Sequence, residues 1–153
     1  MSDEVPSLSA YFTLGHRSCD AQWADVEAAA DAGKAEDTAR AWRRFEASLR
    51  RHLAQEEEIL FPAFEQATGM ADAGPTFVMR SEHQQMRGLL DQMAAAVERG
   101  EAQELLDLGD TLLLLIQQHN QKEENMLYPM SEQALAARWS ALREALDRYP
   151  TDA

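Results

Sequence analysis

Apolar residues recur along this chain at alternating spacings of four and three. Phe12, His16, Cys19, Trp23, Val26 and Ala30 make one such stripe, and Trp42, Phe45, Leu49, His52, Glu56 and Ile59 a second. Met79, His83, Met86, Leu90, Met93 and Val97 make a third; Leu105, Leu108, Leu112, Ile116, His119, Glu123 and Met126 a fourth. That period places each set on one face of an α-helix. Gly33, the stretch 69–75 and Gly100 separate four long segments, and a shorter fifth follows Met130. The links at 32–34 and 99–100 are short, so the helices on either side of each are antiparallel neighbours. The expected fold is all-α: an antiparallel up-down-up-down four-helix bundle of two αα-hairpins over about residues 8–131, then a short C-terminal helix at about 132–148, in one domain spanning 1–153. The tail from Arg138 to Tyr149 has its own apolar stripe and is expected to pack on the bundle, with dimerisation through it as the alternative.

Composition agrees with helix: there are 26 alanines, many Leu, Glu, Gln and Arg, and few β-branched residues. Charge narrows the partners. Asp and Glu number 27 against 14 Lys and Arg, a formal net charge of -13, which repels phosphate backbones and anionic lipid surfaces. Neither nucleic acid nor membrane is therefore an expected partner. The opening MSDEVPSLSA has no basic or apolar leader region, and the longest apolar run is Leu112 to Ile116. A single cysteine, Cys19, suits a reducing compartment, so the expected location is cytoplasmic and the expected state a monomer or weak homodimer.

Every histidine of the chain lies on an inward stripe, and two glutamates lie there too. His16 and His52 are 36 residues apart, as are His83 and His119, and the pairs are offset by 67. At that offset the segment from His52 to Pro62 falls on the segment from His119 to Pro129 with five of eleven positions identical. Phe12 falls on Met79, Cys19 on Met86, Phe45 on Leu112 and Leu49 on Ile116, so core layers repeat as well. Each hairpin thus brings one lone His opposite one His-x-x-x-Glu. Residues four apart stack on one helical face, so His52 with Glu56, and His119 with Glu123, can grip one centre.

Four imidazoles and two carboxylates inside a bundle suit a binuclear metal site with His16, His52, Glu56, His83, His119 and Glu123 as ligands. With two imidazoles per ion, bridging carboxylates and an oxo or hydroxo bridge, each ion has about five donors and one open position. The donor set fits iron, manganese or zinc. A buried network of His–Glu pairs is the metal-free alternative, but it is costly to desolvate. A haem held by two of the histidines would leave the glutamates unexplained.

These residues carry a resemblance. Gly15-His16, His52-x-x-x-Glu56 followed by Glu57-Glu58-Ile59-Leu60-Phe61-Pro62, Glu82-His83, and His119-x-x-x-Glu123 followed by Glu124-Asn125-Met126-Leu127-Tyr128-Pro129 resemble the haemerythrin-like (HHE cation-binding) family over roughly residues 8–131. The resemblance implies a four-helix bundle around two iron ions with a bridging oxo or hydroxo group. Oxygen-carrying members have a second His four residues after the third, where this chain has Arg87. They end in an Asp five residues after the last His, where this chain has Glu123 at four and Glu124 at five. The pattern here looks like the subset associated with iron or oxygen sensing, peroxide breakdown and repair of damaged iron centres. It implies a small ligand (dioxygen, peroxide or nitric oxide), a more open iron at the His83/His119 end, and peroxide-decomposing chemistry. A redox-responsive sensing module or iron donation is the alternative.

Several neighbours carry weaker expectations. Cys19 reads as core filler, since its repeat partner is Met86. Asp20 could accept from a ligand histidine or pair with an arginine. Glu57 and Glu124 are expected to make solvent-facing salt bridges rather than add donors. Phe61 and Tyr128 are expected in the core. Pro62 and Pro129 should kink or end their helices just past the glutamates.

Overall fold

The computed structural model describes residues 6–71 and 74–150, and all of its regular elements are helical. Helix α1 (Leu8–Asp31) starts at Ser7, whose side chain accepts from the Ala10 N–H at 3.1 Å. It ends in a Schellman turn: Gly33 has φ 70°, Lys34 N–H bonds to Ala29 C=O and Gly33 N–H to Ala30 C=O. Helix α2 (Ala35–Gln55) then returns along α1. A π-helical segment, Glu56–Leu60, joins it directly to α3 (Phe61–Thr68). The second half repeats this plan. Helix α4 (Pro75–Glu98) ends at Gly100, again with φ 70° and the same pair of turn bonds, from Glu101 to Ala96 and from Gly100 to Val97. Helix α5 (Ala102–Lys122) runs through a second π segment, Glu123–Leu127, into α6 (Tyr128–Ala134). A 3₁₀ turn (Ala136–Arg138) and α7 (Trp139–Asp147) follow. The four-helix bundle of two hairpins is present, with a short C-terminal helix packed on one end.

The prolines explain the π segments. A proline inside an α-helix lacks an N–H and its ring clashes with the carbonyl four residues back. Here the ladder before each proline widens to i→i+5: Phe61 N–H bonds to Glu56 C=O, and Tyr128 N–H to Glu123 C=O. Pro62 and Pro129 therefore do not end their helices; each is absorbed by one extra residue. That residue turns everything downstream by about 100°. The stripes shift with it. Met126, expected inward, is 53% exposed and Ile59 is only half-buried, while Leu60, Phe61, Leu127 and Tyr128 are buried instead.

Two apolar clusters fill the interior. One contains Trp23, Phe45, Leu49, Leu90, Leu112 and Ile116. The other contains Phe12, Phe61, Phe64, Met79 and Tyr128, and is closed by Leu142 and Leu146 of α7. Helix α7 is fastened by Gln55, which donates to Leu146 C=O at 3.1 Å, and by Arg51, which donates to the carbonyls of Tyr149 and Pro150. Trp139 donates to Pro6 C=O at 2.9 Å. Between the two clusters, at the level of residues 16, 52–56, 83 and 119–123, lies a polar layer. No described helix is long and apolar enough to cross a membrane.

Candidate metal centre

The polar layer consists of the six side chains singled out above. His16 and His83 lie in the first halves of α1 and α4, while His52 and His119 occupy the last turns of α2 and α5. Glu56 and Glu123 open the two π segments, four residues on from a histidine and on its face. All six are buried, and both glutamates and His83 have no exposed surface. They form two groups: His16, His52, Glu56 and Glu123; and Glu56, His83, His119 and Glu123. Within each group the ligand atoms lie within 4.8 Å of one another, and both carboxylates belong to both groups.

All four Nε2 atoms face inward. His16 Nε2 lies 3.0 Å from Glu123 Oε1, His119 Nε2 3.1 Å from Glu123 Oε2, His83 Nε2 3.1 Å from Glu56 Oε1, and His52 Nε2 3.6 Å from Glu56 Oε2. His83 and His119 point Nε2 at each other across 3.2 Å. Proximity is not satisfaction, however. His52 Nε2, Glu56 Oε1 and Glu123 Oε2 are buried without a properly aligned hydrogen bond. Orphaned buried nitrogen and oxygen lone pairs are expensive. A cation between them removes the cost, and imidazole with carboxylate is a donor set that first-row divalent and trivalent metals accept. The residues fit a metal.

The outer edges of the rings are also arranged. Glu124 Oε2 lies 2.7 Å from His16 Nδ1, Glu57 Oε2 2.6 Å from His83 Nδ1, and Glu82 Oε1 2.7 Å from His119 Nδ1. Carboxylates there fix tautomer and ring orientation with Nε2 free to bind metal. Glu57 and Glu124 thus reach across to another helix and hold histidines, rather than making only the solvent-facing ion pairs expected of them. Glu57 is itself held by Arg87 at 2.6 Å, and Glu82 by Lys122. Asp20 makes no hydrogen bond to a histidine among the described residues; Glu124 takes that place on His16.

Sequence reading missed the hydroxyl of Tyr128. The ring is in the core, as expected, stacked on Phe12 at 5.2 Å. Its oxygen nonetheless enters the polar layer, within reach to give its one proton to Glu56 Oε2 or to Glu123 Oε1 at 2.8 Å, with His16 Nε2 3.0 Å away. The π segment is what aims it there. The available signal was the Phe61/Tyr128 mismatch in an otherwise matched segment.

Mutual stabilisation among these groups is strong. Burial disfavours a charged His16, but Glu123, Glu56 and Glu124 outweigh it and push its pKa up to about 9. His83 likewise overcomes burial through Glu56, Glu57 and Glu123 and rises to about 9. His119 rises by the same balance, with Glu123 its main partner. His52 goes the other way, down to about 3, because burial and the neighbouring imidazoles prevail over Glu56. The Glu123 carboxyl is held far below the usual range, since His119 and His16 overcome its burial. Burial, then the two glutamates, keep the Tyr128 phenol neutral.

A bundle enclosing a buried His/Glu set of this kind defines a cation-binding helical protein. The family profile described as "Hemerythrin HHE cation binding domain" matches residues 7–131. The chain belongs to that family, as its motifs implied. No curated protein and no solved structure shows significant similarity to it.

Proposed function

We propose that the chain is a cytoplasmic, single-domain non-haem diiron protein holding two iron ions with a bridging oxo or hydroxo group. His16 and His52 would hold one iron and His83 and His119 the other, with Glu56 and Glu123 available to both. The observation that carries this reading is that the two four-residue groups share both carboxylates. Iron held there would supply a Lewis-acidic redox centre able to bind dioxygen, peroxide or nitric oxide, and peroxide decomposition is the chemistry we assign to it.

The chain's own residues prepare that chemistry. Glu57, Glu82 and Glu124 keep three imidazoles oriented, so that little reorganisation accompanies binding. Tyr128 keeps its proton and offers it at Glu56 and Glu123, beside His16. The apolar clusters above and below exclude bulk water and strengthen each polar contact.

Metal analysis of the purified protein should give about two irons per chain; one zinc, or no metal, would overturn the reading. Iron-loaded protein should release oxygen steadily from peroxide, and Glu56→Ala should abolish that release together with metal binding. Iron retention without any turnover would leave a diiron protein but remove the peroxide assignment.

A further inference from the structure

Three of the four histidines have a carboxylate on Nδ1, and His52 has none. The repeat shows why. Glu82, which holds His119, corresponds to Gly15 in the first hairpin. A Cβ at Gly15 would lie 2.7 Å from His52 Nδ1, so no side chain can stand there without displacing the ring. His52 Nδ1 makes no hydrogen bond among the described residues. His52 and Gly15, which Nδ1 adjoins, both line a cleft of about 220 Å³ between α1 and α2, with room for several water molecules.

The chemistry of the cleft is one-sided. Among the described residues no acidic side chain lines it, although the chain as a whole carries a net charge of -13. Its lining includes Ser18, Ser48 and Arg51. Arg51 donates to the neutral carbonyls of Leu146, Tyr149 and Pro150 and makes no ion pair among the described residues. If His52 Nε2 faces a metal, as proposed above, Nδ1 carries the proton and is a donor.

We propose that this cleft binds a small carboxylate anion of the size of formate or acetate. The anion accepts from His52 Nδ1–H, supplying from outside what Glu82 supplies to His119 from within the chain. Ser18 and Ser48 present hydroxyl donors and Arg51 the balancing charge. Because a carboxylate on the outer nitrogen makes an imidazole a stronger ligand, occupancy of the cleft would tune one end of the centre and not the other.

The test is an acetate titration of iron-loaded protein at constant ionic strength, with chloride as control, followed by calorimetry and visible absorption. One saturable acetate per chain is expected, with a shift of the iron absorption that chloride does not produce. Ser48→Leu, which fills the cleft away from the polar layer, should weaken acetate at least tenfold while iron content stays that of the parent chain. Ser18→Leu, at an exposed position on the opposite wall, should do the same and replaces it if Ser48→Leu fails to fold. Acetate binding that survives both fillings would mean direct attachment to iron and would overturn the proposal. So would the absence of acetate binding to protein carrying two irons. Protein that carries no iron would instead overturn the diiron reading on which this rests.

Discussion

The first hairpin places Gly15 against His52, where the second places Glu82 against His119. Phe61 in the first becomes Tyr128 in the second, Asp20 becomes Arg87, and Trp42 becomes Gly109. The last exchange is steric: a Cβ at Gly109 would come within 2.1 Å of the Trp23 ring, so the space that Trp42 fills in its own hairpin is filled here by an indole from α1. The six inward His and Glu positions, by contrast, match one for one. Two copies of a hairpin can share one centre only if the inward groups agree, while their surroundings are free to diverge. Divergence around a common centre gives its two ends different properties, with a phenol near His16 and a full set of outer carboxylates near His83 and His119.

Changes that act on one hairpin at a time test this. The largest effect is expected from deleting Met126, an exposed residue of the second π segment. Removing it forces an α ladder onto Pro129 and turns Tyr128 away from the glutamates, at a cost of about 3 kcal/mol or more. Urea unfolding should show that loss, and a matched deletion of Ile59 should show a similar one. A deletion variant as stable as the parent would mean that the π turns are incidental.

Tyr128→Phe removes the hydroxyl that the second hairpin adds to the polar layer and restores the residue found at the matching position of the first. It leaves Glu56 and Glu123 short of a donor, and a loss of about 1–3 kcal/mol is expected in thermal unfolding. An unchanged melting temperature would show that the hydroxyl contributes nothing there. The smallest effect is a gain. Gly88 lies inside α4, corresponds to Ala21, and would present a Cβ to nothing within 4 Å. Gly88→Ala should therefore stabilise by about 0.5–1 kcal/mol, visible as a raised urea midpoint at constant slope.

The features legible in the sequence were those that repeat within a single helix. His52 with Glu56, and His119 with Glu123, are local pairs, and a repeat of 67 announces that the hairpins face each other. The outer carboxylates were not legible, because Glu57 to His83 and Glu124 to His16 are contacts between helices, set by their relative height and rotation. The inward turn of Leu60 and Leu127 was hidden for another reason. Reading apolar spacing assumes one unbroken period, and each proline breaks it by a single residue. Tyr128 was legible as an apolar body but not as a polar tip, since a stripe records which way a ring points and not where its far end arrives.

The two π segments have a consequence for how this chain can change. Each of the two interrupted helices, α2–α3 and α5–α6, carries two hydrophobic phases in series, one before the extra residue and one after. The upstream phase is keyed to the buried His/Glu layer, and the downstream phase to the aromatic end closed by α7. A substitution that rotates or repacks one phase has a built-in joint at which to stop. The aromatic end can therefore drift, gain a new partner or be redesigned while the imidazoles keep their aim.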